Sequence, residues 1–330
     1  MNKKNKGKIE KILSVVMVLV AVVLGVLLFR ESSQQNREEQ QVVSQMQEQS
    51  QKMNTEIRAV QQEIYDKELE LDEIQKTPYV FLCFSGNDSQ LMPVIYPLMN
   101  QYGYRGTLVL KAGQLPGEGE QAITAEEANT LLSAGWDIAL GGPAGEALST
   151  GTISDAHSKL EDAGFGTSQA FFFDKGDYSG TKNQVYPQIE ELQYHYTCPV
   201  ATKEGSFTTR YSPLQKDILE CQNLSIRQGQ IMVEQVLDQA ISERMPLVLS
   251  DYSIGGTWLM NAEDPQPDYA SLFEFLAQKQ NEGSLAVGTF QDYNGYLEEY
   301  ENQITQKQAE IDQFTAEKQK EIEAIKEKYQ

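Results

Sequence analysis

The sequence predicts an α/β domain whose parallel strands, linked by helical crossovers, close into a complete or incomplete barrel outside a membrane. Three observations lead there. Strand and helix signals alternate from Thr77 to about Tyr293, an apolar run follows a lysine-rich start, and apolar residues recur at heptad spacing on both sides of the middle segment. Alternating strands and helices imply a parallel sheet, and this many units close naturally as a β/α barrel.

Met1–Lys11 carries five lysines against Glu10 and reads as a cytoplasmic basic tail. ILSVVMVLVAVVLGVLLF, residues 12–29, is interrupted only by Ser14 and Gly25. It would rise about 27 Å as a helix, close to a hydrocarbon core of about 30 Å. A cleaved signal has a shorter apolar core and a small-residue cleavage site. Here Phe29, Arg30 and Glu31 follow, and no cysteine stands ready for lipidation. The expectation is an uncleaved single-pass anchor, residues 12–29 contacting the membrane, with the bulk of the chain outside by the positive-inside bias. The formal net charge is -21 although the tail is basic. So acidic a surface repels polyanions and excludes a nucleic-acid role.

From Glu31 to Lys76 the chain is rich in Gln and Glu, with an apolar seam at Val43, Met46, Met53, Ile57, Val60, Ile64, Leu71 and Ile74. Ser50 and Lys67 interrupt it. A second seam runs through residues 294–330: Leu297, Tyr300, Ile304, Ile311, Phe314, Ile322, Ile325 and Tyr329, interrupted at Lys307 and Lys318. Both predict coiled-coil helices. If the ends of the middle domain lie together, they form an intramolecular antiparallel stalk, which gives each seam a partner. The other arrangement is a parallel homodimer through the first helix, a self-association of the stalk.

Within residues 77–293, YVFLCF (Tyr79–Phe84) reads as a buried strand and Ser89–Tyr102 as a helix closed by Gly103. GTLVL (Gly106–Leu110) is the next strand. Thr124 and Glu127 form a capping box for a helix stopping at Gly135. WDIAL (Trp136–Leu140) is a strand, Ser154–Ala163 a helix, AFFF (Ala170–Phe173) a strand and Lys182–Leu192 a helix. Short strands are expected between Tyr194 and Arg227. Gln230–Arg244 is a helix, PLVLS (Pro246–Ser250) a strand, Tyr269–Gln280 a helix and SLAVG (Ser284–Gly288) the last strand. Cys83, Cys198 and Cys221 show no metal-ligand spacing, which leaves a Cys198–Cys221 bridge open.

VFLCFSGNDSQLMPVIYPLMNQYGYRGTLVL followed by ITAEEANTLLSAGWDIALGG resembles the polysaccharide deacetylase (NodB-homology) family, a distorted β/α barrel. There the first strand ends Thr-Phe-Asp-Asp-Gly, a helix ends Tyr-Gly, and a later strand ends Glu-Ile-Gly-Ser-His-Thr. FFFDKGDYSG resembles the family's Arg-Pro-Pro-Tyr-Gly segment, and PLVLSDYSIGG its last Leu-Leu-His-Asp strand. The resemblance covers about two thirds of the chain. It implies a divalent metal held by one Asp and two His, an Asp base and a His acid, with the cation polarising an amide carbonyl. Residue by residue the chemistry is missing. The Asp pair falls on Ser85 and Gly86, the metal histidines near Gly141 and Gly145, the arginine near Phe172 and the acid on Ser250. The chain has two histidines, read as a surface helix residue (His157) and a sheet-end residue (His195).

No catalytic residue, metal ligand or cofactor is therefore expected, and the resemblance implies a non-catalytic member binding a cell-envelope glycan or an assembly partner. Residues after strand ends could line its mouth: Asn87, Asp88, Asp174, Asp177 and Asp251, with the aromatic side chains of Tyr178, Tyr252 and Trp258 to meet sugar rings. Carboxylates alone can hold Ca²⁺ or Mg²⁺ or act as an acid/base pair, so a divergent deacetylase or esterase with a relocated site is the rival reading. Asp and Asn after strands more often form turns and caps. Ser85 in CFSGN lacks the glycine of a nucleophile elbow. A third reading makes the chain a structural envelope protein whose stalk is the working part.

Overall fold

A computed structural model describes residues 35–118, 123–143, 148–167, 169–173, 177–199, 218–225, 230–250 and 269–329. In chain order the elements are α1 (Gln35–Asp72), β1 (Tyr79–Ser85), α2 (Tyr96–Gln101), β2 (Thr107–Ala112), α3 (Ala125–Ser133) and β3 (Asp137–Pro143). They continue with α4 (Thr150–Asp162), β4 (Ala170–Phe173), α5 (Asp177–Glu191), β5 (Tyr196–Pro199), β6 (Leu219–Glu220) and β7 (Gln222–Ser225). The last are α6 (Gln230–Glu243), β8 (Leu247–Ser250), α7 (Tyr269–Asn281), β9 (Ala286–Val287) and α8 (Phe290–Lys328). The described residues fall into two compact units, divided between Ile74 and Gln75 and between Asn302 and Gln303.

Every paired strand of the second unit runs parallel to its neighbours, in the order β6-β5-β4-β3-β2-β1-β8-β7. The two ends of that order are consecutive in the chain, with only Cys221 between β6 and β7. One short segment thus pairs with β5 through Leu219 and Glu220, and with β8 through Gln222–Ser225. The sheet comes round on itself as a nearly closed barrel. β9 adds Ala286 and Val287 beside Tyr79 and Val80, at the N-terminal end of β1.

Both faces of these strands are buried, which is why they read as continuous apolar runs rather than alternating ones. Outward residues such as Leu82, Phe84, Leu108, Leu140, Phe171 and Leu249 pack in one cluster with helix residues Ile95, Leu131, Leu160, Ile189, Leu237 and Phe273. Inward residues form a second cluster. Its wide rings gather low in the lumen: Phe81 stacks on Phe290 at 4.2 Å between centroids, and Tyr293 meets Phe81 edge-on at 5.4 Å. Tyr196 lies 5.3 Å from Phe290, and its hydroxyl donates to Asn294. The first turn of α8 therefore plugs the N-terminal end of the barrel.

Asp137 opens β3 at this floor and accepts a hydrogen bond from the Gln291 N–H at 3.1 Å. Burial first, and then the neighbouring Asp292 carboxylate, push its carboxyl above the usual aspartate range against the hydrogen bonds that favour the anion. A carboxyl raised in the folded state makes stability fall as pH rises from the unfolded value near 4 through the native value. Asp137→Asn, which keeps an oxygen acceptor, is expected to gain stability over the wild type at pH 7 and to lose that advantage below pH 4. Urea unfolding at both pH values checks the sign.

Several boundaries differ from the sequence expectation for identifiable reasons. The helix expected over Ser89–Tyr102 is a π-helical turn, Leu91–Ile95, leading into α2. Pro93 and Pro97 supply no N–H to a regular ladder, and the Ile95 N–H reaches the Gln90 carbonyl five residues back at 3.1 Å. Strand β3 runs on through Gly141-Gly142-Pro143, past the expected end at Leu140. Helix α4 starts at Thr150 because Ser149 and Thr152 cap it reciprocally, a box with threonine where glutamate is usual. The expected box at Thr124 and Glu127 forms, with the Thr124 N–H donating to Glu127 at 2.8 Å. Helix α8 starts at Phe290, earlier than the expected Asn294.

In the first unit, α1 and the C-terminal part of α8 pair antiparallel. Ile57, Val60, Ile64 and Ile322 are buried together, with Met53, Phe314 and Ile325 against them. Lys307 bridges Glu70 at 2.6 Å, Lys318 bridges Glu63 at 2.5 Å and Lys328 bridges Glu56 at 3.1 Å. Two lysines that interrupt the apolar seam thus carry charge pairs to the opposing helix. Such exposed pairs set register more than they add stability. No helix among the described residues is long and apolar enough to cross a membrane, and the run 12–29 lies outside them.

Candidate functional site

In a barrel of parallel strands the working end is the C-terminal one, where loops gather. Alternation along each strand names the side chains that face it. β1 turns Phe81 and Cys83 into the lumen, so Ser85 is its last inward residue. β2 turns Val109 inward, so Lys111 is its last. Register pairs Lys111 with Gly141 on β3 and Cys83 with Ser250 on β8. Ser85, Lys111 and Ser250 are 4%, 7% and 2% exposed, and Gly141 is buried beside them in sequence register.

Ser85, Gly141 and Ser250, but not Lys111, are positions at or near which the deacetylase resemblance assigns chemistry. Ser85 stands for a carboxylate, Gly141 for an imidazole and Ser250 for the acid. The Ser85 hydroxyl oxygen accepts the Asn87 N–H at 3.2 Å, holding the turn after β1. Phe172, near which the arginine falls, is wholly buried in the lumen and lies edge-on to Phe290 at 6.5 Å. Two hydroxyls and glycines with no side chain do not fit the Asp and two His of a divalent metal site. Among the described residues, no three His, Cys, Asp or Glu side chains gather as a ligand set. Gly145 lies outside the described residues.

The expected mouth residues fare differently from one another. Asp88 caps a turn: its carboxylate accepts the Gln90 N–H at 2.8 Å, and its carbonyl accepts the Leu91 N–H at 3.1 Å. Asn87 sits beside it, and its Oδ1 is buried with no hydrogen-bond partner. Asp177 and Tyr178, expected in a loop, belong to the first turn of α5, which starts earlier than the expected Lys182. Asp174, Asp251, Tyr252 and Trp258 lie outside the described residues. The structure brings Asn87 and Asp88 into one turn.

Two residues escaped the sequence reading. The apolar run ends the expected second strand at Leu110, short of Lys111; extending the alternation Thr107, Val109 by one step points Lys111 inward. Gln114, whose N–H donates to the Lys111 carbonyl at 3.1 Å, carries a second buried amide oxygen without a partner. Nothing in the local sequence marks that oxygen as buried. His157 corrects the reading of a surface residue: its side chain is 12% exposed, and Nδ1 meets the Tyr194 hydroxyl at 2.9 Å. It sits on α4, outside the barrel wall. His195 directly precedes β5, at the sheet end.

No family model matches the sequence, and no curated protein matches it. Among solved structures, the chain is similar to a mutant of a CE4 family pseudoenzyme with restored enzymatic activity, at 10% identity and a TM-score of 0.40 over 66% of this chain and 67% of that one. It is similar to the chitin deacetylase of the fungal pathogen Colletotrichum lindemuthianum, at 10% identity and a TM-score of 0.38 over 65% and 87%. A third is the CE4 domain of a multidomain xylanase from the hindgut metagenome of Trinervitermes trinervoides, at 12% identity and a TM-score of 0.37 over 67% and 92%. Solved structures similar to this chain thus include deacetylase-type domains, and at such identities the chemistry has to be read from its own residues.

Proposed function

We propose that the chain is a membrane-anchored, extracytoplasmic deacetylase-like protein without catalysis, which binds a cell-envelope glycan or assembly partner at the barrel mouth. The observation that carries the reading is the set of side chains ending the strands. Ser85, Gly141 and Ser250 occupy lumen-facing positions where metal-assisted hydrolysis needs carboxylate and imidazole. Among the described residues, Asp88, three residues beyond Ser85, is engaged in a turn. Support for binding comes from groups that lack internal partners. Buried amide oxygens on Asn87 and Gln114 are acceptors whose desolvation is uncompensated, and sugar hydroxyls are donors that would satisfy them. Lys111 adds a donor that accepts nothing.

The test is acetate release from N- and O-acetylated oligosaccharides by the detergent-purified full chain, with Zn²⁺, Co²⁺, Mn²⁺ or Ca²⁺ added. Release no greater than in the metal-only control is the expected result. Chelator-sensitive release that disappears in Asp88→Ala or Asp251→Ala would overturn the reading in favour of a relocated carboxylate site.

A further inference from the structure

All three cysteines of the chain lie in the barrel lumen, Cys83 and Cys198 at 0% and Cys221 at 1% exposure, and none is in a disulfide. Two of them are set side by side by strand register. Tyr196 pairs with Leu219 and Thr197 with Glu220. The Cys221 N–H then donates to the Thr197 carbonyl at 2.8 Å, which continues the ladder by one residue and puts Cys221 opposite Cys198. In-register residues of neighbouring strands point to the same face, about 4.8 Å apart. Cys198 and Cys221 are therefore neighbours on the lumen face of the sheet. A disulfide asks for Cα atoms about 4.4–6.8 Å apart.

We propose that Cys198 and Cys221 form a disulfide that staples β5 to the segment where the barrel closes, leaving Cys83 as a free thiol. The site of the bond is the short joint of the sheet: β6 offers two residues, and Cys221 is the gap between its pairing with β5 and the pairing of β7 with β8. The oxidant is a small-molecule disulfide. One cysteine thiolate attacks it and releases one small thiol; the other then attacks the mixed disulfide and releases the second. The two protons leave with the two small thiols, so two thiols are oxidised and one disulfide is reduced. Burial pushes the Cys198 thiol well above its ordinary range, and Cys221 beside it adds to the shift. Thiolate is then scarce in the closed barrel, so exchange belongs to the folding chain and the reduced folded protein reacts slowly. An oxidising solvent is met outside the cytoplasm, and to that extent the inference draws on the proposed topology.

The experiment is refolding of the full, detergent-held chain from a reduced, denatured state in a glutathione redox buffer, against refolding with reductant present. One titratable thiol under denaturing conditions and a peptide joining Cys198 to Cys221 are expected in the wild type, and Cys83→Ser should keep the joined peptide and leave no titratable thiol. Reductant should lower the midpoint of thermal unfolding by about 5–10 °C in the wild type and leave Cys221→Ser unmoved. Three titratable thiols, or a joined peptide containing Cys83, would overturn the proposal. Peptide mapping uses the wild-type chain, so it reads the pairing even if a cysteine variant misfolds. Its outcome is separate from acetate release or glycan binding.

Discussion

Phe290→Ala is expected to lower the unfolding free energy by about 3–5 kcal/mol, the range for removing a fully buried aromatic ring. Phe290 is 0% exposed and stacks on Phe81, with Phe172 and Tyr196 also against it. Three strands would lose a common neighbour at once. The wall around it is a hydrogen-bonded cylinder that cannot collapse inward to refill the space, so the cavity term should be large. Denaturant unfolding followed by near-ultraviolet circular dichroism reads the loss, with Leu69→Ala on exposed α1 surface as a variant that should change stability little. A loss below about 1 kcal/mol would mean that the aromatic plug does not hold the floor of the barrel.

Gly106→Ala is the second large effect, expected to cost about 1–3 kcal/mol as an overpacked position. A Cβ there would sit 2.8 Å from the Leu82 carbonyl oxygen and 2.8 Å from the Trp136 ring. Trp136 is 3% exposed and packs 5.8 Å from Phe84, so it has no room to withdraw. The Leu82 oxygen belongs to the central strand and moves only with the sheet. Adding Trp136→Leu should therefore recover part of the loss and no more. Full recovery in the double variant would place the whole clash on the ring and none on the backbone.

Much of the barrel is legible in the sequence, because strands buried on both faces need apolar runs and helices need caps. VFLCF, LVL and AFFF are strands, and Thr124 with Glu127 caps a helix, as the local chemistry requires. Local chemistry failed where two signals competed. Pro93 and Pro97 sit in an otherwise helical pattern and turned it into a π-helical turn and a short helix. Gly141-Gly142 lies past the apolar run that ends at Leu140, yet β2 supplies partners and keeps it a strand.

The site was legible by subtraction. The residue types at Ser85, Gly141 and Ser250, on which the proposal of a non-catalytic chain rests, are a property of the sequence. Which groups face the lumen in their place is not. Lys111 acquires its position from a strand running one residue past its apolar core, and the buried oxygens of Asn87 and Gln114 from chain packed over them. The same holds for the cysteines. Their spacing in the chain, Cys198 to Cys221, carries no instruction to pair, and opposition arises only when β6 docks beside β5 in one register. By itself the sequence determined the alternation of strand and helix, the acidic balance and the residue types at the strand ends, because each depends on residue types within a few turns of chain. Tertiary structure alone decided how the sheet closes, what plugs it and which thiols meet, because those depend on register between segments far apart in the chain.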